Sequence, residues 1–79
     1  MHTYIKGWIN TKEGKRIDFW EVGSWSSEGE WHERKQFLQE IQAVCFTNYL
    51  NGGSQDSRLI KALLEEGDAV EQEIQKSKQ

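Results

Sequence analysis

The sequence predicts an α+β domain: a two-stranded antiparallel β-hairpin packed on two α-helices, order β-β-α-α, or on three if the second helix breaks at Gly67. Three observations carry this. Residues 1–25 are rich in β-branched and aromatic side chains around one turn signal. Residues 28–50 and 57–77 instead repeat their apolar positions at three- and four-residue steps, and Asn51-Gly52-Gly53 punctuates the chain between them. At 79 residues, 35% of them hydrophobic, the chain is expected to form one small domain over 1–79 around one modest core.

The hairpin is placed over 3–23, with Thr11-Lys12-Glu13-Gly14-Lys15 at its tip. A three-residue loop closes it, a type I turn followed by Gly14 in the left-handed conformation that glycine adopts without steric cost. Pairing Thr11 with Lys15 sets Ile9 opposite Ile17 and Gly7 opposite Phe19, so Ile5, Ile9, Ile17 and Phe19 share one face, expected to meet the helices. A two-residue loop at Glu13-Gly14 would oppose Ile9 with Asp18 and mix the faces.

The first helix is placed over 28–50. Ser27 followed three residues later by Glu30 has the capping-box pattern, and Trp31, Phe37, Leu38, Ile41, Val44, Cys45 and Tyr49 supply an apolar stripe. Phe37, Ile41, Val44 and Cys45 are expected to dock on the hairpin, and a glycine after Asn51 to end the helix in the left-handed conformation. Ser54-Gln55-Asp56-Ser57 continues the connection, Asp56 or Ser57 capping a second helix over 57–77 that carries Ile60, Leu63, Val70 and Ile74. Gly67 stands where an apolar residue is expected, and Asp68 with Glu71 could cap a new segment there, so one bent helix and two shorter ones are both open. Gln75 to Gln79 lack an apolar anchor and are expected to fray.

Composition narrows the chemistry. A net charge of −3 argues against a partner held mainly through phosphates, so nucleic acid ranks below protein. The single Cys45 excludes an intramolecular disulfide, and His2 and His32 stand in no metal-binding spacing. Glu28, Glu30, Glu65, Glu66 and Asp68 occupy cap and solvent positions rather than the burial a general acid needs, and the glycines match no phosphate-binding loop. The expectation is no enzyme, no cofactor and no metal. No apolar run approaches a membrane span and the N-terminus lacks a signal-like apolar region, which points to a cytoplasmic protein with no membrane partner.

Four tryptophans, at 8, 20, 25 and 31, are the unusual feature. By parity, Tyr4, Lys6, Trp8, Asp18, Trp20 and Val22 line the hairpin face opposite Ile9 and Phe19. Unless a helix crosses to it, that face is an exposed aromatic patch with interspersed charges, suited to binding another protein or a second copy of the chain. The alternative is that the sheet is covered on both sides, or the faces are inverted, with the tryptophans in the core. Glu65, Glu66, Asp68, Glu71 and Glu73 form a secondary acidic surface for a basic partner. The functional expectation is a small acidic binding module, a regulator or inhibitor that masks a larger macromolecule, in the size class viruses and mobile elements direct at host machinery. The competing expectation is a single-stranded nucleic-acid or nucleotide binder, with Tyr4, Trp8 and Trp20 stacking on bases and Lys6, Lys12, Lys15 and Arg16 meeting phosphate.

Overall fold

The computed structural model describes residues 1–53 and 56–77; Ser54 and Gln55 of the expected connection, and Lys78 and Gln79 of the expected frayed tail, lie outside the described residues. The architecture is α+β, with three strands rather than two: β1 (His2–Asn10), β2 (Arg16–Trp25), β3 (Trp31–Phe37), α1 (Glu40–Leu50) and α2 (Ser57–Ser77). The strands form one antiparallel sheet in the order β1-β2-β3.

The first hairpin has the register that parity requires, with Ile9 opposite Ile17 and Gly7 opposite Phe19. Its loop is closed by Gly14 N–H donating to the Thr11 carbonyl at 3.0 Å and Thr11 N–H to the Lys15 carbonyl at 2.7 Å, and Gly14 takes φ +81°.

The expected helix over 28–50 is corrected in its first half. Ser26-Ser27-Glu28-Gly29-Glu30 does not cap a helix; it repeats the first turn. Gly29 N–H donates to the Ser26 carbonyl at 3.0 Å, Ser26 N–H to the Glu30 carbonyl at 2.8 Å, and Gly29 sits at φ +82°. In both turns the leading hydroxyl, Thr11 or Ser26, accepts the N–H four residues on at 3.1 Å. The chain therefore reverses again into β3, and Trp31 pairs with Trp25 across the strands. A register shift at Val22/Gly23 interrupts the second ladder.

Helix α1 begins only at Glu40, and this turns its buried arc. Ala43, Phe46 and Thr47 are buried, Val44 and Cys45 half-buried, and Ile41, expected in the core, is 62% exposed. At its end Gly52 takes φ +95°, and Gly53 N–H returns to the Asn48 carbonyl at 2.8 Å. Helix α2 is capped by Asp56, whose Oδ1 accepts Arg58 N–H at 2.7 Å. It runs unbroken through Gly67 to Ser77, burying Ile60, Leu63, Gly67, Val70 and Ile74 at alternating three- and four-residue steps.

The core is divided by the sheet. On the face of Tyr4, Trp20 and Val22, α1 supplies Ala43 and Phe46, Phe37 joins from β3, and Ile60 and Leu63 come from the first half of α2. On the face of Ile9, Ile17 and Phe19 the cover is Val70 and Ile74, from the second half of α2. One helix serves both faces because it passes along the β3 edge. The crossing is at Gly67, where an added β-carbon would lie 2.9 Å from Lys35 Cδ. Lys35 also reaches forward to form an ion pair with Asp68.

Candidate functional site

The hairpin face expected to be uncovered is half covered. Val22 is corrected from a contact residue to a core residue: it is fully buried in the cluster that α1 completes with Ala43 and Phe46. Tyr4 is half-buried at the same end, packed edge-on against Trp20 at 5.9 Å, with its hydroxyl donating to Glu40 of α1 at 3.4 Å. Toward the hairpin turn the cover stops. Trp8 is 55% exposed, Lys6 and Asp18 are exposed, and Trp20 is half-buried.

These four residues and Arg16 form one connected arrangement, because all occupy even positions of the first two strands and so project to the same side. The Arg16 guanidinium lies 4.8 Å above the Trp8 ring, and its Nε donates to Asp18 Oδ1 at 2.9 Å. The guanidinium thus bridges the carboxylate and the indole, an exposed contact that favours one orientation of Trp8. Lys6 makes the parallel contact, its Nζ 5.7 Å from the Trp20 ring centre. Two cations and one anion make the patch locally positive on an acidic chain.

The acidic residues of α2 are distributed around its outer arc. Asp68 is paired with Lys35, Glu71 is half-buried, and Glu65, Glu66 and Glu73 face solvent. Sequence reasoning missed a second aromatic pair. Trp25 and Trp31 flank the second turn with ring centres 5.1 Å apart, and Trp25 is 58% exposed. The signal was the repeated hydroxyl-x-Glu-Gly turn, which places both residues on paired strands. Leu38, Ile41 and Tyr49 also lie exposed along or beside α1, and a shallow groove of about 330 Å³ lined by Tyr49, Ser57, Ile60, Lys61 and Leu64 runs between the helices.

Among the described residues no three His, Cys, Asp or Glu side chains come together as metal ligands, and no helix is long and apolar enough to cross a membrane. Compared with family models, with curated proteins and with solved structures, the chain finds no match in any of the three.

Proposed function

We propose that the chain is a small non-enzymatic protein-binding module, a regulator or inhibitor that masks a larger macromolecule with the uncovered half of its first hairpin. The observation that carries this reading is Trp8, an exposed indole with the Arg16 guanidinium over its ring and Arg16 paired with Asp18. An exposed indole flanked by charge is what interface hot spots are made of, because an aromatic side chain buries a large area with little loss of side-chain freedom. The local positive charge selects an acidic partner surface with an apolar recess for the indole. The competing nucleic-acid reading needs ring faces for stacking, and Arg16 and Lys6 each already lie over one ring.

The test compares wild type with Trp8→Ala. Wild type should retain one stoichiometric partner from a lysate, and Trp8→Ala should lose it while its stability stays within about 1 kcal/mol, against about 3–5 kcal/mol for truncating a core aromatic. Retention of the same partner by the stable variant would sink the proposal. Tryptophan quenching by oligonucleotides that weakens with salt would move the function to single-stranded nucleic acid.

A further inference from the structure

We propose that two copies of this chain join through their β1 strands, in antiparallel register about a two-fold axis beside Gly7, to form one continuous six-stranded sheet. The two edges of the sheet differ. Strand β3 has α2 packed along it, a register irregularity beside it, and the polar run His32-Glu33-Arg34-Lys35, the devices by which natural sheets discourage edge pairing. Strand β1 is covered only at its start, where α1 and Asn51 reach it; its nine residues carry one charged side chain, Lys6, and no proline, and its pairing with β2 is unbroken.

The direction of its free groups is fixed. Thr11 bonds inward to Lys15, so the odd residues of β1 face β2 and the even ones point outward. His2 shows this directly. Its N–H donates to Asn51 Oδ1 at 2.8 Å and its carbonyl accepts Asn51 Nδ2 at 2.9 Å, so a side-chain amide takes the place that a neighbouring strand would occupy. Beyond His2 the outward groups of Tyr4, Lys6, Trp8 and Asn10 have no backbone partner among the described residues.

That free set is symmetric about Gly7, and this selects the register. A second β1 in antiparallel orientation pairs Tyr4 with Asn10 and Lys6 with Trp8 of the second copy, each pair exchanging two backbone bonds, and all four free residues are used. The side chains agree. Each Lys6 lies beside an indole instead of another lysine, Ile5 meets Ile9 on the opposite face to extend the half-buried apolar row, and glycine meets glycine at the axis. Sliding by one residue pair in one direction opposes Lys6 with Lys6, which costs like-charge repulsion. Sliding further that way requires His2, which Asn51 already occupies. The backbone bonds of the joint run along the strand edge, and because the Lys6–Trp8 pairs lie on the Trp8 face, the two patches come side by side across the axis.

Sedimentation equilibrium of the chain alone decides this independently of the binding proposal, since no other macromolecule is present. Wild type should show twice the 9.3 kDa chain mass. Lys6→Pro removes an outward N–H without breaking a bond to β2, so the monomer should keep its fold by circular dichroism while the dimer weakens about 100-fold or more. Trp8→Lys, which places lysine opposite lysine twice, should also give a folded monomer, and it decides the matter should the proline variant unfold. Isotope-filtered NMR on a mixed labelled and unlabelled dimer should show contacts between Ile5 of one copy and Ile9 of the other. A wild type that stays monomeric up to about 1 mM, a dimer that survives in Trp8→Lys, or absence of the Ile5–Ile9 contacts in a dimer would each overturn the inference.

Discussion

Substitution of Gly67 by valine separates what α2 gains as a helix from what it gains by docking on β3. In an exposed helix interior valine is more favourable than glycine by roughly 0.3–0.5 kcal/mol, so propensity alone predicts a small stabilisation. The packing predicts the reverse. Gly67 is buried where α2 crosses Lys35, and a β-carbon there would lie 2.9 Å from Cδ and 3.4 Å from Cβ and Cγ of that lysine. Lys35 cannot swing away freely, because its side chain is only 19% exposed and its ammonium is paired with Asp68. Inserting a branched side chain into such a contact costs about 1–3 kcal/mol. The net expectation is a loss of about 1–2 kcal/mol, a fall in Tm of roughly 4–15 °C for a domain of this size. Urea denaturation with an unchanged slope checks it, and adding Lys35→Ala should recover about 1 kcal/mol relative to the sum of the single changes. Equal or greater stability of Gly67→Val would show that α2 does not lie against β3 as described.

Three further substitutions probe the elements that differ from expectation. Phe37→Ala, at a fully buried position of β3, should cost about 3–5 kcal/mol, whereas Ile41→Asp should change stability by less than about 1 kcal/mol because the side chain is exposed and an acidic group suits the first turn of α1; thermal melts of the two distinguish the strand from a helix over the same residues. Gly29→Ala and Gly14→Ala should each cost about 1–2 kcal/mol by denaturant titration, equally, because both glycines hold the same positive φ in the same turn. Thr47→Val should raise stability by about 1 kcal/mol in the same assay, since the buried Thr47 hydroxyl has no hydrogen-bond partner among the described residues.

The first hairpin was legible because its side chains alternate strictly, so one turn and one pairing settle every face. The third strand was not, because Trp31-His32-Glu33-Arg34-Lys35-Gln36-Phe37 is built largely from good helix formers, and Ser27 with Glu30 imitates a capping box. The competing signal was present: Ser26-Ser27-Glu28-Gly29 repeats the hydroxyl-x-Glu-Gly order of Thr11-Lys12-Glu13-Gly14, and a turn that reverses one strand reverses the next. Without that turn the helix starts too early, and its periodicity puts Ile41 in the core and leaves Phe46 out. The site was legible in its membership but not in its extent. Parity placed Lys6, Trp8, Asp18 and Trp20 together, while the cover over Val22 depends on where α1 lands. Arg16 shares that parity, but its placement over Trp8 is a tertiary detail that no periodicity reports.

The passage of α2 from one face of the sheet to the other bears on how the molecule opens. Helix α1 touches only the cluster around Val22 and Phe37, so its release would expose one side and leave Phe19 covered by Val70 and Ile74. Release of α2 would strip both sides at once, since Ile60 and Leu63 belong to one cluster and Val70 and Ile74 to the other. The two half-cores are thus tied into a single cooperative unit by one 21-residue helix, and the slowest-exchanging amides belong in α2 and in the central strand it brackets, with those of α1 released in a lesser, local opening.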